Sequence, residues 1–446
     1  MASSWFSAGL LRKGDGLSKR EYEWEPGGPP PVIYVHSLKK HEVLRAYLVR
    51  YLQILNATPN AEVFRLTLVD GFSGGGVYRN EQTGDLVYGS PFIFLQATQE
   101  AEFLINQDRK KKLILDASYF FVERQTHTLE CLRQELLRHG YGQLVDKEHV
   151  RLLEGDFSKW AQHIITFIKN KGRAGRAIFL LDQYGYMDVP FPLLQNLFAE
   201  LERAEVILTF AIDAMGDYLS DNQQSRRLLE KLGLAHRVES HLAAIARSKG
   251  MSDRRAVIQR LFSSIIAQES GARFYTPFFI SSRESNRDYW LVHLSMHERA
   301  RDEMARLHWE LHNHFSHNGG PGLDMLGYSP DKDPLVTGQS WFPDFTFSTS
   351  DKGLTVNQLR EQLPECIIKH REGIQFDDLL RQTCNTTPAS SDHYREALDD
   401  LLANGDIVIK SPDGITRRKG ASISKRDIIS RPTQLTMFLP SLRRNK

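Results

Sequence analysis

LTLVDGFSGGG, residues 66–76, decides how this chain is to be read. Val63–Val69 is a short apolar run of strand character, and it closes on an acid, Asp70, before a turn carrying Gly71, Gly74, Gly75 and Gly76. Glycine lets a backbone turn sharply and lets another group approach it closely. The spacing is neither G-x-G-x-x-G nor a loop ending in G-K-[ST], which argues against a dinucleotide fingerprint and a P-loop. An acid at a strand end followed by G-x-x-G-x-G suits a ligand that carries both an ammonium group and a nucleoside.

Two further stations follow in order. Glu123 comes directly after the apolar SYFFV, where a carboxylate can accept both hydroxyls of a ribose. Asp156 and Phe157 follow VRLLEG, where the acid can accept from an adenine amino group and the ring can stack on the base. Three such sites, each at a strand's carboxyl end, fall where ligands bind in open α/β sheets. Together they predict an S-adenosylmethionine site with Asp70, Gly71, Phe72, Gly74, Gly76, Ser90, Glu123, Asp156 and Phe157 as contacts.

Strand-like and helix-like segments alternate around these stations. Val43, Leu44, Tyr47, Leu48, Tyr51 and Leu52 recur at helical spacing before the glycine turn. Ser118–Val122 is favoured over Lys112–Leu115 as the second core strand, because an acid follows it. Ala177–Leu181 and Val206–Ile212 read as buried strands between helices. The pattern predicts a Rossmann-like α/β methyltransferase fold with a mostly parallel sheet. Charged, helix-periodic residues 220–268 read as an inserted helical cap, and Phe274–Ile280 with Tyr289–Leu294 as a final antiparallel pair. The expected layout is a flexible segment 1–35, a methyltransferase-like domain 36–318, a linker 319–353, a second domain 354–440 and a basic tail 441–446.

Composition narrows the class. The 446 residues are 41% hydrophobic and 25% charged, within the globular range. No apolar run approaches the roughly 18 residues of a membrane span, and the amino-terminal stretch lacks the apolar core of a signal peptide. Three scattered cysteines have no metal-ligand spacing, so a reduced, cytoplasmic protein without membrane association or a metal site is expected. The histidines His293, His297, His308, His312, His314 and His317 lack an H-E-x-x-H arrangement and read as core or solvated residues.

The chemistry is carried by DQYGY, residues 182–186. Amino-methyltransferases place a D-P-P-aromatic motif after their fourth strand. The acid or a neighbouring carbonyl there accepts from an exocyclic amine, and the aromatic residue stacks on the base. Catalysis of that kind is positioning and electrostatics. Asp182 is the expected acceptor, and Tyr184 or Tyr186 the stacking residue. No Pro-Cys pair is present to attack a cytosine ring.

Lys39-Lys40-His41 with AYLVRYL, then VDGFSGGGVY, then Tyr88-Gly89-Ser90-Pro91, resemble the bacterial three-Cys-motif partner protein family (TcmP) over roughly residues 36–310. That family usually ends its fourth strand in D-P-F-G, and this chain keeps Asp182 and Gly185 of it. The resemblance implies a partner carrying three cysteines that looks like a radical S-adenosylmethionine enzyme. Ser90 is expected to cap the helix it begins, with Pro91 in the first turn.

The carboxyl-terminal part reads as a winged helix: three helices, the last from Ser390 to Ala403, then two strands around SPDG in DIVIKSPDGITRR. Residues 405–446 hold ten Lys or Arg against three Asp, net +7, within a chain whose total is +2. This is the electrostatic footprint of a polyanion-binding end. Ser391, His393 and Arg395 on the recognition helix and Arg417, Arg418 and Lys419 after the wing are the expected nucleic-acid contacts. The sequence therefore predicts a methyltransferase acting on a nucleobase amine in DNA or RNA. The alternative is a non-catalytic adaptor of the same fold that binds a partner enzyme and nucleic acid.

Overall fold

The computed structural model describes residues 22–58, 61–172, 175–183, 188–210, 223–238, 251–282, 287–311, 321–323, 347–419 and 422–432. β1 (Val32–Ile33) and α1 (Val35–Leu55) lead into β2 (Val63–Asp70), which ends on the glycine turn. The hairpin β3 (Val77–Asn80) and β4 (Leu86–Tyr88) pairs with β1 in a small side sheet. Next come α2 (Ser90–Asn106), β5 (Ile114–Glu123), α3 (Thr126–Arg138), α4 (Gly142–Asp146), β6 (Val150–Glu154) and α5 (Phe157–Asn170). β7 (Ala177–Leu181), α6 (Phe191–Glu200), β8 (Ala204–Phe210), α7 (Gln223–Leu232) and α8 (Met251–Glu269) follow. β9 (Phe274–Ser282), β10 (Arg287–Ser295) and α9 (Glu298–Glu310) complete the first domain.

The main sheet has the order β6-β5-β2-β7-β8-β10-β9. Its first five strands are parallel, and β10 runs antiparallel to both β8 and β9. This is a Rossmann-like, mostly parallel α/β architecture. The order reverses between β2 and β7, and the carboxyl ends at that switch point are where such sheets bind ligands. Strand periodicity builds both faces. Phe120, Val122, Phe179, Leu181, Val206 and Leu208 enter one core with α5, α6 and α8. Tyr119, Phe121, Ile178, Leu180 and Ile207 enter the other with α1, α2 and α9. All six apolar positions read from the periodicity of α1 are buried.

The second domain comprises α10 (Thr349–Ile368), β11 (Ile374–Gln375), α11 (Phe376–Thr383), α12 (Ser391–Ala403), β12 (Val408–Lys410) and β13 (Ile428–Ser430). It is a winged helix around its own core of Leu359, Leu363, Phe376, Leu379, Leu398 and Ile429.

Four local expectations are corrected. The second core strand is one ten-residue β5 that holds Ser118–Val122 and the last two residues of the other candidate segment, because Asp116 pairs with Arg65 across the ladder and stays at the solvent side. The segment expected to be flexible is packed from Tyr22 onward, with Trp24 and Ile33 buried. The winged helix starts earlier than Leu354, because Ser348 and Asp351 form a capping box that begins α10 ahead of Gly353. The wing's return strand is Ile428–Ser430, not the residues after SPDG; those contribute only an isolated bridge between Lys410 and Thr416. Ile429 is fully buried, which fixes that register.

Candidate functional site

The carboxyl ends of β2, β5 and β6 converge on a cavity of about 320 Å³. Gly71 and Phe72 line it from the first strand, Glu123, Arg124 and Gln125 from the second, and Gly155, Asp156, Phe157 and Ser158 from the third. Tyr22, Trp24, Thr128, Asp188, Pro190 and Lys231 close its remaining walls. Of the expected cofactor contacts, Gly71, Phe72, Glu123, Asp156 and Phe157 are therefore brought together. Asp70, Gly74, Gly76 and Ser90 lie outside the cavity lining.

Glu123 organises the floor. Its Oε2 accepts from the Gly74 amide at 3.0 Å and its Oε1 from the Gln125 amide at 3.0 Å. Burial pushes this carboxyl above its ordinary value, and the backbone donors pull it back down. The Arg124 amide is a further backbone donor to this carboxyl, which lines the cavity. Asp156 is engaged within the lining: Arg124 bonds its Oδ1 and also donates to Asp188 at 2.9 Å. The Arg124 guanidinium holds the Asp156 carboxyl low. Phe157 lines the cavity while its ring packs into the core near Phe179, so it forms a wall rather than a free stacking surface.

The glycine turn has a different occupant from the expected ligand. A side-chain carbon on Gly75 would sit 2.3 Å from Trp24 Cδ1, and one on Gly74 would sit 2.8 Å from Trp24 Cη2. Gly74 and Gly76 also need positive φ, +60° and +87°. The indole thus lies on the turn, anchored by Nε1 donating to the Val77 carbonyl at 2.8 Å. Gly76 is needed for contact with Leu132 and Phe92, and Gly71 for contact with Leu181 and Phe157. Ser90 is the first residue of α2 and Gly89 its cap, which corrects the expected capping role.

Asp70 is fully buried. Its Oδ1 accepts from the Phe72 amide at 3.1 Å, and its Oδ2 has no hydrogen-bond partner. Burial raises this carboxyl to about 7, against the Ser90 and Phe72 donors that lower it.

Beside it, Lys40 of α1 places Nζ 2.6 Å from each carboxylate oxygen of Asp182. The pair is mostly enclosed, with side chains 15% and 28% exposed. Burial works to raise Asp182, and Lys40, with Thr209 and His41 adding to it, leaves the carboxyl below its ordinary value. The neighbouring His41 is driven down to about 4 by burial and by Lys40. Gln183, which stands where a proline was expected, is buried and structural. Its Oε1 accepts from the amides of Asp188 and Val189, bracing the far side of the loop. Tyr184 and Tyr186 lie outside the described residues.

Sequence reasoning missed Lys40, Trp24, Arg124 and Asp188 as site residues. Arg124 carried a local signal in its position next to Glu123, and Lys40 one in the Lys39-Lys40-His41 element, but neither pointed to a partner.

The recognition helix is turned inward. Asp302 of α9 accepts from the Ser391 amide at 2.6 Å and from its hydroxyl at 2.7 Å. Arg306 reaches Ser391 Oγ and Asp392, both at 2.9 Å. His393 is buried, with its ring 4.5 Å from that of Trp309, and it closes a capping box with Ser390. Arg395 lies over the Phe376 ring and bonds Ser391 Oγ. Ser391 and His393 are thus interface residues and Arg395 an internal brace, which corrects their expected place at a nucleic-acid surface. Arg417 is likewise tied to the buried Asp427 by two hydrogen bonds. Arg418 and Lys419 are exposed.

His293 is a core residue whose Nε2 meets Glu205 at 3.0 Å, His308 is buried, and His297 caps α9. His312, His314 and His317 lie outside the described residues. Among the described residues no cluster of three or more His, Cys, Asp or Glu could hold a metal ion, and no helix is long and apolar enough to cross a membrane.

Residues 327–414 match the family of GMT-like wHTH domains. No curated protein matches the chain. Among solved structures, the chain is similar to a Legionella pneumophila protein at 10% identity, over 46% of this chain and 77% of that one, with a TM-score of 0.28. It is similar to a Klebsiella pneumoniae protein proposed to be an O-methyltransferase at 11% identity, over 59% and 90%, with a TM-score of 0.25. The B. subtilis tRNA methyltransferase TrmK aligns at 11% identity, over 78% and 97%, with a TM-score of 0.21.

Proposed function

We propose that this chain is an S-adenosylmethionine-dependent methyltransferase acting on a nucleobase amine in DNA or RNA. The observation that carries the reading is the convergence of Gly71, Glu123 and Asp156, from three successive parallel strands, on one cavity at the sheet's switch point. The residues fit the cofactor. Glu123 faces the cavity at the end of β5, where its carboxylate can accept from a ribose, and Asp70 braces the glycine turn beside it by accepting from the Phe72 amide. When bound, S-adenosylmethionine supplies an electrophilic methyl group.

The chain's own residues then orient the acceptor. Asp182, held by Lys40, stays ionised at neutral pH. It is a poor proton acceptor and a good fixed hydrogen-bond acceptor. An exocyclic amine donating to it presents its lone pair away from the carboxylate, and the proton released after transfer leaves to solvent rather than to Asp182. Positioning of this kind is the main source of rate in a reaction that needs no general base.

A second reading is favoured by the same ion pair. Lys40 already bonds both Asp182 oxygens, which suits a non-catalytic adaptor of this fold that works beside a three-Cys-motif partner enzyme. Transfer of a labelled methyl group to separated DNA, RNA and protein fractions, with calorimetric titration of the cofactor, tests both. Cofactor binding with label in nucleic acid supports the enzyme. No cofactor binding by a folded chain ends that reading, and co-purification of the cysteine-motif partner without transfer supports the adaptor.

A further inference from the structure

Two observations place the winged helix in relation to the candidate site. The first is its anchoring. Asn385 accepts from the Tyr275 amide at 3.0 Å and donates to the Arg273 carbonyl at 2.9 Å, at the start of β9. Lys425 of the wing bonds Glu298 at 2.8 Å, at the start of α9. Phe274 pairs with Ser295, and Ser295 with Glu205, near the amino end of β8. The cofactor cavity and Asp182 lie at the carboxyl ends of the same sheet. The seven residues of β8 at about 3.3 Å each separate the two edges by about 20 Å. The winged helix is therefore fixed to the edge opposite the candidate active site.

The second observation is charge. The amino-terminal end of α12 is covered by Asp302, Arg306 and Trp309, so the helix that winged-helix proteins place in a groove is unavailable. The wing is open instead. Lys410, Arg418, Lys419 and Arg426 are exposed and make no ion pair among the described residues, while the nearby Asp427 is buried under Arg417 and only Asp413 is an exposed acid in the loop.

We infer that the wing, not the recognition helix, is a nucleic-acid surface, and that it grips the phosphate backbone of duplex DNA remotely from the site of chemistry. The inference rests on the proposed nucleic-acid function for its purpose and on the wing's charge for its contact. Cations without base-reading partners give affinity without sequence choice. At 3.4 Å per base pair, the 20 Å across the sheet means that a target base presented to the same chain lies at least about six base pairs from the gripped phosphates.

The test is fluorescence anisotropy of the full chain with a labelled 24-base-pair DNA duplex, without cofactor, between 50 and 200 mM salt. Four phosphate contacts predict a log–log salt slope of about −3.6, or about a 150-fold loss of affinity over that range. The Arg418→Ala/Lys419→Ala/Arg426→Ala variant should bind at least tenfold more weakly at 50 mM salt, with a slope shallower by about 2.7. Arg395→Ala, on the covered helix, should bind like the parent. Should the triple variant lose helicity, Arg426→Ala alone makes the same test through a slope change of about 0.9. Unchanged binding by the wing variants overturns the inference. So does an equal loss in Arg395→Ala, or a preference for duplex RNA of the same length. Methyl transfer is measured separately, so its absence leaves this result standing.

Discussion

Lys40 and Asp182, 142 residues apart in sequence, meet through a single ammonium placed 2.6 Å from both carboxylate oxygens. The contact joins the helix ahead of the sheet to the strand end expected to carry chemistry. It also changes what Asp182 can do, since a carboxylate under a close ammonium keeps its charge and resists protonation.

Replacing Lys40 with Met should therefore separate binding from chemistry. Cofactor affinity is expected to stay within about twofold, because neither Lys40 nor Asp182 lines the cofactor cavity. Methyl transfer should fall by roughly 100-fold or more, the range for a lost positioning group. Stability should drop by about 1–2 kcal/mol, between the values for exposed and buried pairs. Asp182→Asn should lose transfer similarly, and the double variant should cost less than the two single changes combined. Unaltered transfer in Lys40→Met would remove the pair from the mechanism.

The Lys40–Asp182 pair was only partly legible in sequence. The strands around Asp70, Glu123 and Asp182 were readable because the half of each that is buried on both faces is a continuous apolar run closed by an acid, whereas the Arg65–Asp116 pair hid the first half of β5. The fold followed from their alternation with helices. Lys40 carried no such mark: a lysine on an amphipathic helix reads as solvated until the tertiary fold sets its partner beside it. Trp24 was hidden for the same reason, in a segment whose Gly-Pro composition suggested looseness. On α12, Ser390 and Ser391 signalled a helix start correctly, yet the residues that cover it come from α9, more than 80 positions earlier. Local pattern specifies elements, and contacts between distant elements decide which of their ends remain open.

Trp24 and Gly75 should behave as one unit. Trp24→Ala removes a buried indole and should cost about 3–5 kcal/mol. Gly75→Ala should cost about 1–3 kcal/mol by forcing the indole off the turn, since the added carbon would overlap it at 2.3 Å. Once Trp24 is absent, Gly75→Ala should be nearly neutral in denaturant melts. Additive costs would show that the glycine serves something other than the indole.

Asp70 should make stability depend on pH. Burial raises its carboxyl to about 7, against an ordinary carboxyl value near 3.8. Between those values the folded state binds more protons than the unfolded one, so this contribution to stability is present near pH 4 and is lost as pH rises toward 7. Asp70→Asn should lose that slope in denaturant melts between pH 4.5 and 7, and a variant with the parent's slope would place the dependence elsewhere.

His393 links the interface of the two domains to acidity. Burial holds its imidazole down to about 4, so it is neutral in the folded chain, whereas an unfolded histidine takes a proton near 6.5. Between those values the unfolded state binds more protons, so stability rises with pH from about 4 to 6.5 and is lost as pH falls through that window. His41 acts in the same direction and Asp70 in the opposite one, since its raised carboxyl binds a proton in the folded state between about 4 and 7. His393→Asn keeps an acceptor for the Ser390 amide, which His393 Nδ1 accepts at 3.2 Å, and it cannot titrate. Its unfolding free energy should lose about one proton of pH dependence between pH 4.5 and 6, read from denaturant melts across that range. A variant with the parent's full dependence would place the acid sensitivity elsewhere than the contact of His393 with Trp309.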